Sequence, residues 1–340
     1  MYNLKKLTDA FSPSGFEDEV RDIVLSEITP FCDSIKVDKM GNIIAFKKGR
    51  SSEKKFMADA HMDEVGLIVT GITEQGRLKF DEIGGIDDRI LPGKRVIVGN
   101  KRVPGVIAVS PIHLSSRQER ETVTKMHDML IDIGANTKKE AEMLAEKGDY
   151  ICFESDYEEF GQGFIKAKAL DDRLGVAVLI EMLKTAVPAY DFYAVFSVQE
   201  EIGCRGASVA AEQVKPDYAL IVEGTICADS SKTPRHLTVT DAGKGAVFSV
   251  MERSSLANRD FLNFAKTLAE KNNIPFQYKR TGSGGNDAGR IQIASNGCKT
   301  LAIAAPCRYL HSPGCVISKK DYKAVRSLAI LICERIDEIC

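Results

Sequence analysis

Two histidines and four carboxylates, His61, Asp171, Glu200, Glu201, Glu223 and His311, stand where a strand is expected to end or a helix to begin. Imidazole nitrogen and carboxylate oxygen without thiolate form a donor set that suits zinc, cobalt or manganese. Two divalent ions bring four positive charges, and Asp171, Glu201 and Glu223 return three negative ones. A hydroxide bridging the ions would cancel the remainder, and a bound metal can bring the pKa of water down to about 7. These residue types therefore point to metal-assisted hydrolysis near neutral pH.

The elements that must position them follow from the local patterns. Lys54 to Ala60 reads as a strand running into His61, and Asp191 to Val198 as a β-branched and aromatic strand stopping at Glu200-Glu201. Tyr218 to Val222 is an apolar strand ending at Glu223, and Lys299 to Ala305 another, closed by Pro306 and followed by His311. In an open α/β sheet, ligands collect beyond the carboxyl ends of the strands, so four strands delivering these side chains to one edge would make them converge. Helices are expected at Asp172 to Thr185, Asn258 to Lys271 and Lys320 to Ile339. A further helix opens at a capping box, Ser14-x-x-Glu17, with Val20, Ile23, Val24 and Ile28 as its apolar face. A hairpin follows, Ile35 to Val37 turning at Met40-Gly41-Asn42 into Ile43 to Phe46. Strands alternating with helices predict an α/β class with a central sheet flanked by helices.

Between about Gly66 and Lys166 the texture changes to short strands with glycine turns, interrupted by one helix over Lys138 to Lys147. His61 precedes this stretch and Asp171 follows it, so it reads as a β-rich domain, residues 67–165, inserted into a catalytic domain of residues 1–66 and 166–340. A net charge of −2 gives no basic field for nucleic acid or an anionic membrane. No run approaches a membrane span and the charged start does not read as a signal peptide. Nine cysteines without a Cys-x-x-Cys pair fit buried free thiols in a reducing, cytoplasmic setting.

Taken singly, each group has a structural reading beside the chemical one. Asp171 precedes a helix and could be its N-cap, and it can bridge metals at the same time only if Asp172 caps instead. Adjacent acids at a strand end point in different directions, which makes Glu201 a candidate ligand and Glu200 a candidate general base. His61 has Asp63 two residues on, a carboxylate able to fix the imidazole's tautomer. His113, His127 and His236 are read as structural.

Together these residues carry a resemblance. Ser12-Pro13-Ser14-Gly15, His61-Met62-Asp63-Glu64-Val65-Gly66, Lys168-Ala169-Leu170-Asp171-Asp172-Arg173, Gln199-Glu200-Glu201-Ile202-Gly203 and His311-Ser312 are similar, in order, to strings in the dinuclear metallo-aminopeptidases of the glutamyl, deblocking and TET type, some of which are labelled endoglucanase or cellulase. The resemblance implies two divalent metal ions per subunit, zinc first among them, one held by His61, Asp171 and Glu223 and the other by Asp171, Glu201 and His311. It implies Glu200 as acid and base, Asp63 as a supporting residue of the catalytic apparatus, peptide substrates, and a cis peptide after Asp171. It also implies that the inserted domain makes dimers, which can assemble into dodecamers. The family more often has Asp at the position of Glu223; Asp229, six residues on, is a secondary candidate behind Glu223 for the same role. Gly282 to Gly289 resembles a family loop beside the site.

Three other activities compete. A carboxypeptidase or N-deacylase could share the scaffold, and a non-catalytic relative would lack a ligand, which this chain does not. An endoglucanase needs no metal, and the absence of tryptophan removes the usual platform for a sugar ring. Lys279-Arg280 could attract an acidic substrate residue, although a solvated charge pair accounts for it as well.

Overall fold

The computed structural model describes residues 2–109, 111–230, 232–280 and 284–339. Its centre is a mixed sheet in which four neighbouring strands are parallel, Tyr190–Ser197, Ser51–His61, Tyr218–Ile226 and Lys299–Arg308. The register sets Ser197 beside His61 and Glu223 beside Ala304, so all four run toward the same edge. Antiparallel strands extend the sheet on both sides, the Ser34–Val37 and Ile43–Lys47 hairpin on one and Cys315–Ser318, Phe164–Ala167 and Glu158–Phe160 on the other.

Side chains of the central strands alternate between two cores, as a two-residue period requires. Phe56, Phe192, Phe196, Leu220 and Leu301 face one layer, where Leu170–Thr185, Arg259–Lys271, Lys319–Arg335 and Asp18–Ile28 bury Leu174, Phe261, Val325 and Val20. Met57, Val195, Ala219 and Ile221 face the opposite layer, packed by Ala207 and Ala210 of Arg205–Val214 and by Ile291. The helix Arg205–Val214 had no strong signal in the sequence, because its buried positions are small alanines and glycine.

A separate closed barrel is formed by Gly66–Ile72, Leu78–Ile83, Leu130–Asp132, Val103–Ala108, Arg95–Val98 and Tyr150–Phe153. Its core is apolar, with Leu67, Leu78, Val96, Ile107, Ile131 and Ile151 all buried. Along Val103–Ala108 buried and exposed residues alternate strictly.

Several expectations are corrected. No capping box forms at Ser14: the helix starts at Asp18, Ser14 Oγ donates instead to Asp63 Oδ2 at 2.5 Å, and Glu17 Oε1 accepts from the backbone of Gly15 and Gln199. Pro306 does not close its strand, which continues to Arg308 because the paired strand continues beside it to Ile226. The helix expected over Lys138 to Lys147 covers only Lys138–Glu142, and the inserted stretch holds a second short helix, Arg117–Glu121.

Candidate metal centre and active site

The carboxyl edge of the parallel strands opens into a cavity of about 880 Å³, lined among others by His61, Asp171, Glu200, Glu201, Glu223 and His311. Asp171 sits at its centre, with Oδ1 3.5 Å from His61 Nε2 and Oδ2 3.7 Å from His311 Nε2. Glu201 Oε2 lies 3.3 Å from the same His311 nitrogen. Donor atoms of His61, Asp171 and Glu201 fall within 4.8 Å of one another. Glu223 shares the cavity wall outside this tight group, its Oε1 accepting a hydrogen bond from Asn286 Nδ2 at 2.7 Å.

Local folding fixes how each side chain is presented. The Asp171–Asp172 peptide is cis, and both residues depart from helical geometry at the start of Leu170–Thr185. Asp172 accepts from Gly175 N at 2.9 Å, so it serves the helix terminus and Asp171 is left for the cavity. His61 Nδ1 is 3.1 Å from the carbonyl of Asp63, and His311 Nδ1 is 2.8 Å from the carbonyl of Gly85. A carbonyl only accepts, so each Nδ1 donates and each Nε2 is left facing Asp171, where a cation could take the place of its proton. The carboxylate of Asp63, fully buried, accepts from Glu200 N at 3.0 Å and Glu201 N at 3.1 Å, tying the histidine loop to the Glu-Glu loop.

The two loops are anchored from behind by a buried ion cluster. Glu64 receives Lys168 Nζ at 2.6 and 2.8 Å and Arg173 at 3.2 Å, and the same cations bond the carbonyls of Ala10, Leu7 and Ser12. His61 is three residues before this glutamate, and Asp171 lies between Lys168 and Arg173.

Burial pushes the Glu200 carboxyl well above the usual range, with Asp287, Glu201 and Asp63 adding to the shift against His61. Glu201 is raised by burial to about 7, opposed by His311, and Glu223 is raised by burial and by Glu252. Burial would also raise Asp171, but His311 and His61 hold it low. Conversely, burial opposes charge on His311, yet Asp171 and Glu201 lift it to about 10. Crowded acids with too little positive charge, and two imidazoles whose Nε2 atoms both face the Asp171 carboxylate, form a chamber suited to cations. The donors are oxygen and imidazole nitrogen, which fits zinc, cobalt or manganese.

Other sequence expectations fare differently. Asp229 is bound by Arg308 at 2.7 and 2.8 Å and is not available as a ligand. Lys279 is not solvated: it lines the cavity with its charge taken by the buried Glu252 at 2.5 Å, and Arg280 is engaged by Asp241 and the Thr238 carbonyl. Residues 281–283 of the glycine-rich loop lie outside the described residues, while Asn286 and Asp287 are buried beside the site. His113, His127 and His236 are exposed and away from the cavity. Sequence reading missed Asp59, Glu252 and Cys204. Asp59 had a signal, since it stands two residues before His61 and so on the same strand face.

Comparisons with known proteins give the family. A sequence profile of the M42 glutamyl aminopeptidase family matches residues 41–328. The chain is 30% identical over 341 residues to the lysyl aminopeptidase of Pyrococcus furiosus, covering 98% of this chain and 96% of that one. The crystal structure of a TET aminopeptidase from a marine sediment Thaumarchaeota archaeon superposes with a TM-score of 0.96 at 35% identity, covering 99% and 96% of the two chains. The TET1 peptidase of Pyrococcus horikoshii, which can assemble into a tetrahedron or a large octahedral shell, matches with a TM-score of 0.86 at 35% identity over 98% of each chain.

Proposed function

The chain belongs to the M42 glutamyl aminopeptidase family and is a metal-dependent aminopeptidase, and on that premise we propose that it removes N-terminal residues from peptides using two divalent ions per subunit. His61, Asp171 and Glu223 would hold one, and Asp171, Glu201 and His311 the other, with zinc, cobalt or manganese as the ion. The observation that carries this reading is the Asp171 carboxylate, one oxygen facing each imidazole Nε2. When bound, a divalent ion polarises the scissile carbonyl and brings the pKa of its water to about 7.

Glu200 lines the same cavity without belonging to the tight ligand group, and its raised proton affinity suits the handling of a proton. It accepts the proton of the attacking water and returns it to the leaving amine. Asp63 acts by position, holding the backbone of Glu200 and Glu201 and the orientation of His61. Glu200→Gln is expected to lower kcat by about 10²–10⁴-fold or more with metal content unchanged. Turnover near the wild-type rate in that variant would reject the assigned base.

Free peptides should be cleaved and their N-acetylated counterparts should not; equal cleavage of both would favour the N-deacylase or carboxypeptidase reading. Glucan hydrolysis that survives chelation would favour the endoglucanase instead. The division into residues 1–66 with 166–340 and residues 67–165 belongs to the same proposal, with the barrel as the dimerisation domain and dimers as units of a larger homo-oligomer, up to a dodecamer. Exposed apolar side chains at Ile112 and Leu114, 71% and 73% accessible, support it. A cytoplasmic setting fits eight described cysteines that are all free thiols and the lack, among the described residues, of any helix long and apolar enough to cross a membrane.

A further inference from the structure

One acid on the cavity wall is used neither by the proposed ions nor by the proton. Among the described residues, the carboxylates that line the cavity are Asp171, Glu200, Glu201, Glu223 and Glu252. The metals take Asp171, Glu201 and Glu223 and proton transfer takes Glu200, which leaves Glu252. It stands in the turn after the strand Ala246–Ser249, and that turn is pinned to the glycine-rich loop. Arg253 N donates to the Gly284 carbonyl at 2.9 Å, and Ser254 packs so closely on Gly289 that a Cβ there would lie 2.3 Å from Ser254 Oγ. One oxygen of Glu252 is engaged: Oε1 accepts from Lys279 Nζ at 2.5 Å and from Ser249 Oγ at 3.2 Å. The other, Oε2, is buried with no hydrogen-bond partner, and the side chain is 2% exposed. An unpaired buried carboxylate oxygen carries a desolvation cost that a donor on a bound molecule would offset. Of the charged groups around Glu223, Glu252 acts on it most strongly, so the free acid lies close to the proposed metal ligands.

We propose that Glu252 is a specificity-determining residue that receives the α-ammonium group of the substrate through Oε2, while Lys279 and Ser249 hold the opposite oxygen in place. The proposal rests on the aminopeptidase reading and deepens it. An enzyme that removes N-terminal residues has to tell an α-ammonium from an acylated nitrogen, and the two differ by one positive charge and its N–H donors. A carboxylate already bound to metal cannot make that distinction alone, whereas Glu252 has an oxygen to spare. Lys279 balances its charge while no substrate is bound, which lets the carboxylate stay buried. No bond is made or broken at Glu252. It holds the ammonium in the ground state and the transition state alike, so its loss appears mainly in KM.

The test takes the best-cleaved member of a panel of aminoacyl p-nitroanilides and compares it, in the metal-loaded enzyme, with the same compound lacking its amine. The wild-type enzyme should favour the amine-bearing substrate by about 10–100-fold in kcat/KM. In Glu252→Gln that preference should collapse, through a raised KM for the amine-bearing substrate with kcat and metal content nearly unchanged. Because this variant leaves Lys279 buried without its partner, Glu252→Gln combined with Lys279→Gln, which removes both charges and strands neither, is measured beside it and should show the same collapse. A preference that survives in either variant gives the amine to another group and overturns the proposal. So does a fall confined to kcat and equal for both substrates, which marks a structural role. Equal cleavage of the two compounds by the wild-type enzyme overturns it without any variant. Failure of the aminopeptidase reading looks different: no member of the panel is turned over while N-acylated peptides are, and the assignment of Glu252 falls with it.

Discussion

The carboxyl edge of the sheet and the interior of the barrel are built by opposite rules. Among the described residues, no buried polar or charged side chain falls between Glu64 and Lys168, so inside its hydrogen-bonded strands the barrel is filled by apolar side chains, and its ion pairs, such as Arg95 with Glu154, lie at the surface. The sheet edge on either side of that gap in the chain gathers His61, Asp63, Glu64, Lys168, Asp172, Arg173 and Glu223, all buried. Apolar packing tolerates loss of a group in proportion to the volume removed. A buried ionic network does not, because removing one member strands the charges that remain.

Breaking each region in turn tests this contrast. Glu64→Ala leaves Lys168 and Arg173 uncompensated and should cost about 3–5 kcal/mol in denaturant unfolding, with metal affinity falling too because both ligand loops lose their anchor. A loss under about 1 kcal/mol would show that the cluster is not coupled to the fold. In the barrel, Leu78→Ala should cost about 2–5 kcal/mol yet leave kcat and metal content of the folded fraction unchanged. A selective drop in kcat there would contradict the separation of the two regions.

Stability against pH sharpens the same comparison. Glu201 has a folded pKa of about 7 against an ordinary 4.5, and Glu17 is raised similarly by burial and by Asp63. A raised folded value contributes stability that is full below the unfolded pKa and is lost as pH climbs through the folded one. The metal-free protein should therefore weaken between about pH 4.5 and 7, and added metal should flatten that slope. Thermal midpoints of the metal-free form that rise across this window would refute the reading. The smallest effect is expected at the barrel surface: Ile112→Glu with Leu114→Glu should change subunit stability by no more than about 0.5 kcal/mol each while shifting the assembly toward smaller species in sedimentation. Unchanged sedimentation would remove these residues from the proposed contact.

The contrast also explains what could be read from the chain alone. Parallel strands buried on both faces show as apolar runs, and a run that halts at His61 or just before Glu200 and Glu201 announces an edge, so the sheet and the gathering of these side chains were legible, whereas Glu223 does not end its strand, which continues to Ile226. Which of Asp171 and Asp172 serves the helix terminus was readable only as a choice, which the bond from Gly175 N to Asp172 resolves. Ser14 misled because a hydroxyl three residues before a glutamate has the local form of a capping box, whereas its partner, Asp63, is 49 residues away. Lys279 misled for the same reason: nothing nearby in sequence announces Glu252 as a buried counter-ion. Long-range polar pairing carries no periodicity.

The carbonyl of Gly85, contributed from the stretch between barrel strands, holds the ring of His311 at the far end of the chain. Excising the barrel and rejoining its ends would preserve every proposed metal-binding side chain, yet release that imidazole to rotate and exchange tautomers. The inserted module thereby positions a side chain of the proposed site, and grafting the bare α/β half onto another scaffold would transplant an incomplete machine.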